Sequence, residues 1–247
     1  MVGSARPRRG RRLSVRFSAV FFDAGGTLVD AKPSFPELFA TVLQREGHDV
    51  EAATITQHWQ IVFDRFKAAG EAEELWTTSD DRSRRFWHGV YRLFLDEIGL
   101  APEGLVDVVY REFTDRRNYG LYDDVLPVLH ALRAAGLRLG IVSNFERWLD
   151  ALLEDCGVRS LFEVRVISGF EGVEKPDPRI FRIALDRAGV DAGASVYVGD
   201  LPDLDVAPAG SVGMFPVLID RRDRYPDALG TRIRSMNELP AVLGVAT

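Results

Sequence analysis

The hydrophobic positions of this 247-residue chain change rhythm twice. Phe17-Ser18-Ala19-Val20-Phe21-Phe22 is a short apolar run that enters Asp23-Ala24-Gly25-Gly26-Thr27, so it predicts a buried strand followed by a turn. Lys32-Pro33-Ser34-Phe35-Pro36 reads as a linker. From Glu37 to about Tyr119, apolar residues recur three and four apart, as in Leu38/Val42, Phe63/Phe66 and Phe94/Ile98, which predicts helices. After Asn118-Tyr119-Gly120 the texture alternates. Helices are predicted over 123–135, 146–156 and 178–188, each ended by a glycine, with a short one over 236–243. Strands are predicted over 137–142, 163–167, 195–198 and 214–219.

Strands that alternate with helices of this length build parallel βαβ units. The first strand has no crossover helix of its own, so residues 31–119 read as an all-helical cap inserted after it. Residues 16–30 and 120–247 then form one α/β core, a Rossmann-like parallel sheet. The cap would sit above the C-terminal edge of that sheet, where open α/β sheets bind ligands. Residues 31–119 hold thirteen of the 25 aromatic residues. They are expected to form a helical core, with a few lining a pocket over the sheet edge.

Composition narrows the partners. A 46% hydrophobic chain is not disordered, and Cys156, the single cysteine, has no intrachain partner. No apolar run approaches the ~18 residues of a membrane span, so the expected compartment is the cytoplasm. The net charge is −6, yet residues 1–16 carry six arginines and no acid, so the remainder carries −12. An acidic body argues against nucleic acid as a partner. Residues 1–15 read as a basic disordered tail. An export signal would need an apolar h-region, and the run from Ala19 to Val29 is broken by Asp23, Gly25 and Gly26. Only Lys32, Lys67 and Lys175 are lysines, which marks a lysine retained inside a motif-like segment.

The predicted strand ends deliver Asp23, then Ser143 and Asn144, then Lys175 in the loop after the third, then Asp200 with Asp203 and Asp205 behind it. In a parallel sheet these converge on one crevice. Carboxylates and a backbone carbonyl can hold Mg²⁺, an aspartate can carry a phosphoryl group, and a lysine can offset its charge. That set suits phosphoryl transfer on a small phosphorylated molecule.

Asp23-Ala24-Gly25-Gly26-Thr27-Leu28, Ile141-Val142-Ser143-Asn144, Glu174-Lys175-Pro176-Asp177-Pro178-Arg179-Ile180-Phe181 and Val198-Gly199-Asp200…Asp205 resemble, in order and spacing, the four motifs of the haloacid dehalogenase superfamily. The helical insert resembles the cap of its dehalogenase-like branch. The resemblance implies that Asp23 is the nucleophile and a Mg²⁺ ligand. It also implies that the Gly25 carbonyl and Asp200 are further ligands. Ser143, with Asn144 beside it and backbone N–H groups near Gly26, would bind the phosphoryl group. Lys175 would stabilise its charge. Asp205 would ligate the metal or orient Lys175.

One position departs from the family pattern. Its phosphatases usually carry a second aspartate two residues after the nucleophile, to protonate the leaving alkoxide, and here Gly25 stands there. Losing a general acid typically costs ~10²–10⁴-fold. Three readings stay open. The first is a Mg²⁺-dependent phosphatase that is slow, restricted to good leaving groups, or served by a substitute acid such as Asp30 or a cap histidine. The second is a weakly catalytic relative that binds a phosphorylated ligand or protein. The third is a phosphonate-cleaving hydrolase using Lys67. Oligomeric state is not legible.

Overall fold

The computed structural model describes residues 17–72 and 74–245; the basic segment 1–15 lies outside them. Strands β1 (Ala19–Phe22), β4 (Arg138–Ser143), β5 (Val164–Ile167), β6 (Ser195–Gly199), β7 (Phe215–Ile219) and β8 (Thr231–Ile233) form one parallel sheet in the order β5-β4-β1-β6-β7-β8. Strands β2 (Val29–Ala31) and β3 (Tyr119–Leu121) form a separate antiparallel pair.

Every residue of β1 is buried, as expected of a parallel strand covered on both faces. Its side chains alternate between two cores. Val20 and Phe22 join Ile141, Val196 and Val198 beneath the helices α6 (Val125–Ala134), α7 (Leu149–Asp155) and α11 (Leu239–Leu243). Ala19 and Phe21 join Val142 and Tyr197 beneath α9 (Pro178–Ala188) and α10 (Ala207–Ser211). The short α8 (Ser168–Glu171) follows β5.

Between β2 and β3 run α1 (Phe35–Arg45), α2 (Ala52–Gln57), α3 (Gln60–Glu71), α4 (Asp80–Glu97) and α5 (Leu105–Phe113). They share a third core that includes Phe39, Phe86 and Phe94. Helix starts follow local signals. Ser34 and Glu37 form a capping box at α1, and Ser79 caps α4 through the Arg82 N–H. In α9 the Asp177 side chain accepts from the Arg179 N–H at 2.8 Å, and Pro178 opens the helix, so the Lys-Pro-Asp-Pro run also encodes a helix start.

Three details differ from the pattern-based reading. The helix expected from 146 begins at Leu149, because residues 145–148 turn to carry Glu146 toward the cap. A further strand, β8, follows β7; only three residues long, it carries Arg232, whose guanidinium pairs with buried Asp220. The β2–β3 pair is equally short and flanks the helical insert at Ala31 and Tyr119.

Candidate active site

β1 lies between β4 and β6, with Phe22 level with Ile141 on one side and Val198 on the other. The strand ends therefore open into one crevice, and Asp23, Ser143, Lys175, Asp200 and Asp205 are all buried in it. The Asp23 backbone N–H donates to the Val198 carbonyl at 2.9 Å and extends the ladder by one residue.

Lys175 is the hub. Its Nζ donates to Asp23 Oδ1 at 2.7 Å and Asp205 Oδ1 at 2.6 Å, with Tyr197 Oη at 3.2 Å. Ser143 Oγ donates to the same Asp23 Oδ1 at 2.9 Å, so the carboxylate is pinned through one oxygen. Burial pushes the Asp23 carboxyl above its ordinary pKa, against the pull of Lys175. Burial works against the Lys175 ammonium, but Asp205 and Asp23 hold its pKa above the ordinary lysine value.

Asp205 uses both oxygens on protein donors. Oδ1 faces Lys175 Nζ and Tyr197 Oη (2.9 Å), and Oδ2 accepts the Leu201 N–H at 2.9 Å. It lies within the metal-sized cluster, and its Oδ1 also accepts from the Lys175 ammonium. Asn144 differs from expectation. Its Nδ2 donates to the Lys175 carbonyl at 2.8 Å and its Oδ1 accepts the Lys175 N–H at 2.7 Å. The amide thus holds the lysine backbone in place, the reverse of an amide reserved for a ligand.

Asp200 Oδ2 accepts from Arg224 Nη2 at 2.9 Å. Even so, its pKa is pushed up to about 7, by burial first and then by the charges of Asp205 and Asp23. Gly26 makes room for this group: its φ is +71°, and a Cβ there would sit 2.6 Å from Asp200 Oδ2. Carboxylate oxygens of Asp23, Asp200 and Asp205 lie within 4.8 Å of one another. A buried carboxylate set whose charge is incompletely offset, and made only of hard oxygen donors, fits Mg²⁺. Asp23 and Asp200, with the neighbouring Gly25, could hold it.

The crevice continues into a cavity of about 220 Å³ that runs from Asp23, Ser143 and Lys175 up into the cap. Asp30 lines it, whereas the histidines, all in described positions, do not. Lys67 is exposed on α3, the helix whose Phe63 and Phe66 line the cavity. Asp203 is exposed as well.

Two buried glutamates join the cap to the core. Glu174 accepts from the Trp76 N–H (2.9 Å), the Thr77 N–H (2.8 Å) and Thr77 Oγ1 (2.6 Å). Glu146 accepts from Ser83 Oγ at 2.5 Å. Burial raises both pKa values.

A model of the haloacid dehalogenase-like hydrolases matches residues 17–213. The chain belongs to this family. Among haloacid dehalogenase-like hydrolases it is 29% identical over 248 residues to haloacid dehalogenase-like hydrolase domain-containing protein 3 of Danio rerio, covering 94% of this chain and 98% of that one. It is 37% identical over 143 residues to a phosphoserine phosphatase of Thermus thermophilus, covering 58% of this chain and 57% of the relative. Its fold is similar to that of a HAD phosphatase from Thermococcus onnurineus, with a TM-score of 0.60, 27% identity, and coverage of 93% of this chain and 99% of that one. No helix among the described residues is long and apolar enough to cross a membrane.

Sequence reasoning did not single out Tyr197, Glu174, Glu146 or Arg224. Glu174 and Glu146 sit beside motif residues, and that adjacency is the signal that could have found them. Tyr197 is hidden inside an apolar strand, and Arg224 in an arginine-rich loop.

Proposed function

We propose that the protein is a Mg²⁺-dependent phosphohydrolase that forms an aspartyl-phosphate on Asp23 and is restricted to good leaving groups. The carrying observation is the pinned Asp23: Lys175 and Ser143 both hold Oδ1, which makes Oδ2 the attacking oxygen. Ser143 and Lys175, both beside Asp23, would also donate to a phosphoryl oxygen, with Asn144 and Asp205 keeping the lysine there. Bound Mg²⁺ would mask phosphate charge so that an anionic carboxylate can approach phosphorus.

In the first step Asp23 Oδ2 bonds to phosphorus as the ester or acyl oxygen departs with the electron pair. In the second, water adds to phosphorus, the Asp23–phosphorus bond breaks, and the water's proton passes to solvent. Gly25 offers no side chain to protonate a departing alkoxide, which supports a preference for groups that leave as weak bases. The exposure of Lys67 gives the phosphonate reading no support.

The test is Mg²⁺-dependent phosphate release from acetyl phosphate and p-nitrophenyl phosphate, with Asp23→Asn as control. Release should fall on the order of 10⁴-fold or more in the variant. Equal rates in the two proteins would leave ligand binding without turnover as the function.

A further inference from the structure

The cavity above Asp23 restricts what can be attached to the phosphate. We infer that the substrate is an aryl phosphate, the ester of a flat phenolic alcohol with no second anionic group; this rests on the phosphohydrolase reading above. Three separate features converge on it.

The first is the wall. All four tryptophans of the chain, Trp59, Trp76, Trp87 and Trp148, line this one cavity. Each touches further rings, Trp76 and Trp87 in stacked contacts and Trp59 and Trp148 edge-on or tilted. Phe66 lies 5.1 Å from Trp76 and Trp87 lies 5.8 Å from Tyr91, both stacked, while Phe145 meets Trp148 edge-on at 4.6 Å. Such a wall offers faces and edges to a planar ring, and the buried indole N–H groups of Trp59 and Trp148, which have no partner, are left for a polar atom at that ring's edge.

The second is charge. The three arginines that line the cavity are all paired: Arg221 with Asp124, Arg222 with Asp30, and Arg224 with Asp200. Glu146 adds a buried carboxyl to the same wall. A substrate carboxylate or second phosphate would therefore find each of these arginines already engaged by a carboxylate of the protein. The third is Gly25. A phenolate departs without a proton donor, so the missing acid and the aromatic wall select the same molecule. Asp23 Oδ2 bonds to phosphorus, the aryl P–O bond breaks with its electrons on the phenolate, and solvent supplies the phenol's proton.

The experiment measures kcat/KM of the full chain with Mg²⁺ for phenyl phosphate, 2-naphthyl phosphate, O-phosphoserine and glyceraldehyde 3-phosphate, with acetyl phosphate reporting the chemical site alone. The two phenols have similar acidity, so a difference between their esters reads the cavity. The naphthyl ester should exceed phenyl by about 10-fold or more, and both should exceed the two alkyl phosphates by roughly 10²-fold. Trp87→Leu should lower the naphthyl-to-phenyl ratio, and Trp87→Phe should largely keep it. Calorimetric titration of Asp23→Asn should show 2-naphthyl phosphate binding more tightly than O-phosphoserine. If acetyl phosphate is hydrolysed but phosphoserine or glyceraldehyde 3-phosphate equals or beats the aryl esters, the inference is overturned and the phosphohydrolase reading stands. If acetyl phosphate also stays at the Asp23→Asn background, both fall.

Discussion

The sheet edge and the cap face each other across one cavity and are built on opposite terms. At the sheet edge, Asp23, Lys175, Asp205 and Tyr197 hold one another at 2.6–3.2 Å in a buried, directional network. In the cap the wall is made of rings about 5–6 Å apart. The difference teaches where change is tolerated. A hydrogen-bonded charge network fails when one member is removed, because the rest are left buried and unpaired. A stack of rings exchanges members at modest cost if volume is kept.

The strongest test of the comparison adds an acid to the sheet edge. Gly25 has no left-handed φ, and a Cβ there would meet Phe145 at an ordinary 3.8 Å. Gly25→Asp should therefore fold and raise hydrolysis of a small alkyl phosphate such as glycerol 3-phosphate by roughly 10²-fold or more. No gain, with acetyl phosphate still hydrolysed, would mean that the cap and not the missing acid limits the reaction.

A second test lies on the seam. Glu174→Ala removes the acceptor of two buried backbone N–H groups and a hydroxyl. The loss should be about 3 kcal/mol, seen as a fall of roughly 5–10 °C in Tm. An unchanged Tm would show that the cap is held by its ring contacts and not by this clasp.

The smallest effect is a pH dependence. Burial raises the Glu146 pKa above that of the unfolded chain, so the folded state favours the protonated carboxyl. Its contribution is favourable at low pH and is lost as pH rises from the unfolded pKa through the folded one. Glu146→Gln cannot ionise, so its Tm relative to wild type should be highest near pH 7 and should decline toward pH 5. A constant difference across that range would mean that Glu146 ionises as freely in the fold as in the unfolded chain.

Legibility in the sequence followed the same division. The strand ends were readable because turn-forming residues follow short apolar runs, and Asp23, Ser143, Lys175 and Asp200 converge as that pattern implies. The helical texture of 31–119 was readable from spacing, and helix α9 from its proline and glycine punctuation. What was not readable depends on distance in space. Asn144 and Asp205 carry side chains apt for a ligand or a metal, and only the fold reveals that Lys175 occupies both. That four tryptophans scattered over ninety residues share one cavity is likewise a fact of packing, not of period. The short strands β2, β3 and β8 are below the length at which alternation can be recognised.

The β2–β3 ribbon is also the stem from which the helical insert leaves the core. Ala31 stands opposite Tyr119, and the Lys32 N–H donates to the Asn118 carbonyl at 2.8 Å. The chain thus leaves the core and returns to it at neighbouring points. A segment with that geometry can be exchanged as a cassette: residues 32–118 could be replaced by another helical insert whose ends lie equally close. Asp23, Ser143, Lys175 and Asp200 all lie outside the exchanged stretch, so a chimera would carry over the reaction and change the clientele.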